Sequence, residues 1–423
     1  MALSKISFSR KYGNLSTPLA GEDHISAMVF DVTNFPGTTS DGDVHEIFSL
    51  NDAETLGVTA YDDSGSAANY ELGIPHLHIS EFFRLNPGGS LFVAFADCSA
   101  NWNIISDIQS LAQGKVRQAG VWTRQKLLQP GAAVSDPYEL RLVADLHSKA
   151  DELAKVNQPI SVLLSANLVS IDAAGNTTGL TQLPDISGSS YDRVTALIGQ
   201  GNSPTVKAIQ LADVSHNTVG CVGAALGLVA RSSVGDSIAH VAQFDMSGGH
   251  MNTVALGFGD VSITDLKLTN TYALDTMTQA QKDGIESKGY VFPMKYTGLT
   301  GTYMSSSKTV SNTDYRTIER NRVIDKSRRN MRTRLLPFLN GTVDIAPSTG
   351  TISVAQIKVY KVACESVLQN MQDAGEISGF QVRIDPAQNI LLTDTLAINY
   401  IIVPNGKSAN ITVTEGFALT TTE

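Results

Sequence analysis

The chain has 423 residues, a formal net charge of −10 and 17% charged side chains, against ~100–200 residues and ~25% charge for an ordinary soluble domain. Two or three domains with a sizeable core are expected. The acidic balance argues against bulk nucleic-acid binding, which needs a basic footprint to displace counterions. The low charge leaves two readings open: ordinary variation, or a surface partly buried against neighbours. Cys98, Cys221 and Cys364 lie far apart, without CxxC or Cys/His metal spacing, and read as buried structural thiols of a reducing compartment. The first residues carry no apolar signal region, and no window reaches the ~18–20 apolar residues of a membrane span.

Residues 1–20 mix apolar Leu3, Ile6 and Phe8 with basic Lys5, Arg10 and Lys11, as a fraying tail or as a strand that pairs elsewhere. Ile25–Val32 reads as a strand closed by the turn at Asn34-Phe-Pro-Gly. Val44–Leu50 and a helix-like Asp52–Leu56 follow. Ile74–Leu85 carries His76, His78, Phe82 and Phe83. Leu91–Ala96 is a continuously apolar strand, of the kind a sheet covers on both faces. Helical periodicity runs through Tyr138–Gln158, and Ile160–Leu164 is another buried strand. Helices alternating with buried strands predict an α/β domain with a mixed sheet up to about residue 280. Within it, Val219–Val241 is rich in small residues at helical spacing and reads as a closely packed core helix.

Thr276–Ser287 is a further helix, Tyr290–Tyr296 a strand and Gly298–Val310 a polar loop. A basic helix, Asp314–Leu336, ends at Pro337. An apolar-striped helix, Val354–Met371, carries Tyr360, Cys364, Val367, Leu368 and Met371 on one side. Phe380, Val382 and Ile384 alternate as a half-buried strand. Leu396–Val403 is apolar on both phases and predicts a central strand. Ala409–Glu423 is a β-prone tail with no partner strand evident in its own chain. This second part reads as α+β.

No catalytic constellation stands out. His45-Glu46 lacks the second histidine of a zinc helix. His76 and His78, placed on a strand, would share one face, but no third metal ligand is near. Gly235-Asp-Ser237-Ile-Ala239 is a weak match to a serine-hydrolase turn, with His240 and His250 available; its second glycine is missing. Gly199-Gln-Gly201 and Gly257-Phe-Gly259 lack the third glycine of a dinucleotide fingerprint. No metal, cofactor or enzymatic activity is expected, and a hydrolase centred on Ser237 is the catalytic alternative. The strongest electrostatic feature is the basic helix, whose Arg316, Arg320, Arg328 and Arg332 recur near i, i+4 spacing, with Arg329 beside them. Such a stripe fits a solvated face, an acidic partner or nucleic acid.

Over about 270–405 the chain resembles the contractile tail sheath proteins of phages, contractile bacteriocins and related injection systems, as a distant compact branch. The resemblance lies in Gly289-Tyr-Val, Asp314-Tyr-Arg-Thr-Ile with the basic helix, the apolar helix, Gly375-Glu-Ile-Ser-Gly-Phe-Gln-Val-Arg-Ile-Asp, and Leu396–Pro404. Phe48–Gly57 and Gly220–Ala239 are weaker matches, and the Gly-Ala-Arg-Thr segment of larger sheaths is not recognisable. The resemblance implies an N-terminal linker arm (1–20), outer α/β domains (21–280), an inner tube-facing α+β sheath domain (281–405) and a C-terminal arm (406–423). It implies stacked, sixfold rings around an inner tube, made in the bacterial cytoplasm, with baseplate and cap proteins as further partners and no membrane insertion or nucleic acid. The arms, through Leu3, Ile6 and Phe8 and through Ile411, Val413 and Phe417, would add strands to neighbouring subunits. The basic helix, or Lys358 and Lys361 on the helix after it, would face an acidic tube. Another tail-tube or baseplate component is the structural alternative.

Overall fold

All six side chains of Leu91–Ala96 are buried, and so are those of Ser26–Asp31. Strands covered on both faces belong to a largely parallel sheet flanked by helices, and the computed structural model of the chain contains such a sheet. It describes residues 21–61, 70–127, 129–133, 136–167, 183, 185–201, 203–212, 219–251, 277–413, 415 and 417. The chain divides into two compact units, Met1–Asp325 and Lys326–Glu423. The sequence places the division near residue 280; the two compact units meet inside a helix.

The first unit runs β1 (Ser26–Asp31), β2 (Asp43–Ile47), α1 (Leu50–Thr55), α2 (Tyr70–Leu85), β3 (Leu91–Ala96), α3 (Ile104–Leu111), β4 (Gln118–Lys126), β5 (Gln129–Ala133), β6 (Asp136–Glu139), α4 (Arg141–Lys155) and β7 (Ser161–Asn167). It continues through β8 (Ser190–Tyr191), β9 (Val194–Leu197), α5 (Pro204–Ala212), α6 (Val222–Arg231), α7 (Gln279–Ser287), β10 (Pro293–Met294), β11 (Tyr303–Met304), β12 (Val310–Ser311) and into α8 (Ile318–Leu335). The main sheet has the order β2-β3-β1-β4-β7-β9. Every pair is parallel except β2 with β3, which makes β2 an antiparallel edge. Val291 adds one parallel bridge to Leu197 of β9. Helices α2, α5 and α6 form one group against the sheet and α3 and α4 another, which is how both faces come to be covered. The expected polar loop over Gly298–Val310 contains β11, which pairs with β10.

The small residues of Val219–Val241 do build a core helix, α6, and they explain how closely it lies on α2. A Cβ at Gly223 would sit 2.2 Å from the carbonyl oxygen of His78, and one at Gly227 would sit 3.0 Å from that of Phe82. Gly223→Ala should therefore push the two helices apart and cost about 1–3 kcal/mol, the usual range for overpacking. Chemical denaturation measures this, and an unchanged unfolding free energy would mean that the contact is not tight.

His76 and His78 lie on this helical pair and not on a strand. Pro75 beside them breaks the helical signal in the sequence, yet α2 runs through it. Residues two apart on a helix point about 200° from each other, so the two imidazoles separate. His76 meets Glu54 at 3.2 Å. His78 is buried against α6: its Nε2–H donates to the Val219 carbonyl at 2.9 Å, and its Nδ1 accepts the Gly223 N–H at 3.3 Å. Burial pushes its pKa down from 6.5 to about 3; His250 adds to the shift, and the Val219 bond opposes it.

α8 is among the most polar helices, and its first half is fixed by polar anchors. Asn321 donates to the Asp192 carbonyl at 2.8 Å. Arg322, buried, donates to Ser232 Oγ at 2.7 Å and to the carbonyls of Ser232 and Ser233, at the C-terminal end of α6. Asp325 takes a two-pronged bond from Arg193 at 3.0 and 3.3 Å, and Arg193 also reaches Asp151 at 3.3 Å. Paired charges of this kind hold their place only if both partners remain, because either one alone is costly to bury.

In the second unit, α9 (Val354–Asp373) starts at the Ser353 cap and buries Tyr360, Ala363, Cys364, Val367, Leu368 and Met371. It packs on β13 (Ile377–Arg383), which pairs antiparallel with β14 (Asn399–Pro404). A short helix, α10 (Ile390–Thr393), lies in the connection. The second half of α8 joins this unit through Lys326 to Glu376 at 2.5 Å and Ser327 to Tyr400 Oη at 3.2 Å. Leu396–Val403 is not a central strand. β14 has β13 as its single partner among the described residues, and its residues alternate between exposed and half-buried.

Candidate assembly surfaces

Among the described residues the sheet β13–β14 has two strands, so each presents one unpaired edge. One face lies on α9, through Ile377 and Val382. On the other, Ile401 and Val403 of β14 are exposed. Exposed edges and faces of this kind invite pairing with another chain unless something blunts them. Apolar exposure is concentrated in the same unit. Among the described residues, twelve of the eighteen large exposed apolar side chains fall in the second unit, which holds less than a quarter of the chain. They are Leu336, Leu339, Val354, Val359, Val362, Leu391, Leu392, Ile401, Val403, Ile411, Val413 and Phe417. A monomer scatters such residues singly, whereas their concentration marks an interaction surface.

The C-terminal arm residues are part of that set. Ile411 and Val413 are 79% and 73% exposed, and residues 409–413 form no regular element. Leu3, Ile6 and Phe8 lie outside the described residues.

The expected basic stripe is divided by the boundary inside α8. Arg316 precedes the helix and is exposed, and Arg320 donates to the Asp314 carbonyl at 3.0 Å; both belong to the first unit. Arg328 and Arg332 are exposed and Arg329 half-buried, all in the second unit. Lys358 and Lys361 are exposed on α9 beside Val359 and Val362, with Glu365 3.7 Å from Lys361. The buried role of Arg322 was not readable. One arginine among many carries no sign of burial, although its spacing of four from apolar Ile318 placed it on the inward side.

The catalytic candidates are taken up by local bonds. Ser237 Oγ donates to Ser307 Oγ at 3.0 Å and not to an imidazole, and His240 is exposed. His250 Nδ1 instead pairs at 3.0 Å with Ser203 Oγ, which also accepts the Val206 N–H near the start of α5. All three cysteines are buried, and burial pushes the Cys221 thiol up to about 12. No cluster of three potential metal ligands occurs among the described residues, and none of their helices is long and apolar enough to cross a membrane.

Two family models cover almost the entire sequence: the N-terminal domain of DUF2586 matches residues 5–308 and its C-terminal domain residues 314–422. The chain belongs to the DUF2586 family. No curated relative matches it in sequence. Three solved structures share its fold along nearly the full length. A chain of the sixfold-symmetrised baseplate of the anti-feeding prophage has a TM-score of 0.60 at 12% identity, covering 99% of this DUF2586 chain and 100% of that one. The helical sheath of the same prophage, in its contracted state, gives 0.58 at 14%, covering 99% and 100%. The contracted sheath complex of PVC, an extracellular contractile injection system, gives 0.51 at 11%, covering 99% and 98%. At these identities the likeness is one of fold, and the fold of this DUF2586 chain is sheath-like.

Proposed function

We propose that this chain is a structural subunit of a contractile injection system, polymerising as stacked rings around an inner tube and contracting to drive that tube through a target envelope. The observation that carries the proposal is the second unit: an open two-stranded sheet and, among the described residues, most of the large exposed apolar side chains, on a sheath-like fold. Strands added by neighbouring arms through Ile411, Val413 and Phe417, and through Leu3, Ile6 and Phe8, would close that sheet. Main-chain bonds supply strength and alternate side chains set register. Lys358 and Lys361, with Val359 and Val362 each next to one of them, are the tube-facing groups in this reading. Polar rim contacts of this sort hold one state yet release without a large barrier. Baseplate and cap proteins would terminate the stack, and assembly would take place in the bacterial cytoplasm. Two packings of one subunit would store the energy of contraction, with no nucleotide.

Negative-stain microscopy of the purified full chain, alone and with its tube protein, tests the proposal. Tubules or stacked rings are expected, and discrete particles under all conditions would sink it. The likeness to a baseplate chain favours a second reading, a subunit confined to the baseplate; single rings that never stack would select it. Because Ser237 is bonded to Ser307 and not to a histidine, Ser237→Ala should leave assembly as in the wild type, and lost assembly would show that the side chain has a role not described above.

A further inference from the structure

The charge of the chain is unevenly divided. Residues 326–423 hold nine Lys and Arg against eight Asp and Glu; residues 1–325 hold twenty-two against thirty-three. All of the chain's acidity therefore belongs to the first unit. Arg328, Arg332 and Arg334 are exposed on the second half of α8, and no side-chain hydrogen bond or ion pair engages them among the described residues. Arg332 and Arg334 fall in the last turn, where cations offset the helix dipole by ~0.3–1 kcal/mol. That accounts for two arginines. It does not account for a third, Arg328, or for Leu336 and Leu339, exposed just beyond them.

We propose that the Arg328–Arg332 face, one turn apart on α8, docks on the acidic first unit of a second copy of this chain. The inference rests on the self-assembling reading above. It separates the arginines of α8, which join copies, from the lysines of α9, which meet the tube. Charge complementarity identifies the occupant, because each copy brings both the basic face and a net excess of eleven carboxylates on its first unit. The guanidinium fork binds carboxylates two-pronged where an ammonium offers a point charge, and Leu336 and Leu339 supply apolar area beside it. A nucleic acid would meet the repulsion of the acidic unit.

Sedimentation velocity of the full chain decides this without any tube protein. Wild type should associate reversibly at about 50 mM salt and about tenfold more weakly at about 500 mM. Arg328→Glu/Arg332→Glu should associate about tenfold more weakly than wild type at low salt, with a melting midpoint lowered only by the lost helix-dipole contact of Arg332, and Arg328→Lys/Arg332→Lys should lie between the two. Wild type that associates, with the Glu variant indistinguishable from it, overturns this inference and leaves the assembly reading standing. Wild type that stays monomeric at every concentration overturns both. Binding of a DNA duplex probe that the Glu variant loses, with self-association unchanged, assigns the face to nucleic acid and overturns the inference.

Discussion

A chain ending at Ser408 should fold, melt like wild type and fail to polymerise. The described residues among those removed add nothing to either core: Ile411, Val413 and Phe417 are exposed and residues 409–413 carry no regular structure. Segments without buried contacts are lost at no cost to folding. In the proposed assembly their absence would matter between copies, where an added strand would bring a full row of main-chain hydrogen bonds to the open edge of β13–β14. Losing that row should raise the concentration needed for tubules by on the order of 100-fold or more, since interface energy concentrates in a few buried groups. The readout is pelleting and microscopy of truncated against full-length protein. If the truncated chain builds wild-type tubules, strand exchange through this arm is wrong.

Acid should destabilise the first unit through one imidazole. In the folded state His78 has a pKa of about 3, depressed first by burial and then by His250, with the Val219 bond opposing both. In the unfolded chain it returns to about 6.5. Because the folded value is the lower one, only the unfolded state takes up the proton between these limits, so stability falls as pH drops from 6.5 towards 3. At about 1.4 kcal/mol per unit, lowering the pH from 6.5 to 4 should remove about 3 kcal/mol. His78→Gln keeps a side-chain donor for the Val219 carbonyl without a titrating group. Its urea-unfolding free energy should fall less over the same interval, by about that amount. Parallel pH dependence in the two proteins would mean that His78 is not the acid-sensitive group.

The elements that could be read from the sequence are those whose burial shows in composition. β1, β3 and β7 are apolar without alternation because helices cover both faces, and the inward stripe of α9 follows from a single 3.6-residue period. Where a local signal opposed the tertiary one, the reading failed. Pro75 hides the helix around His78, and α6 supplies the packing that sustains it. Arg322 and Asp325 look like any charged pair in a polar helix, because their partners Ser232 and Arg193 are 90 and 132 residues away. β14 is the most telling case. Its run Ile401-Ile402-Val403 is apolar on both phases, which predicts two covered faces, and the described residues cover one. The sequence pattern there describes a burial that a single copy does not achieve, while the residues that would complete it, such as Ile411 and Val413, carry no periodic signal long enough to name their destination.

The two sheets treat their edges in opposite ways. β2 ends the six-stranded sheet with five residues that include Asp43 and Glu46, a short charged border that discourages a further strand. β13 and β14 carry such groups only at their ends, Arg383 and Pro404, and leave Ile401 and Val403 exposed between them. The open edges and exposed apolar side chains of this unit are therefore where unwanted pairing would begin, and the final hundred residues will set the shelf life of any purified stock. Preparations should be kept dilute.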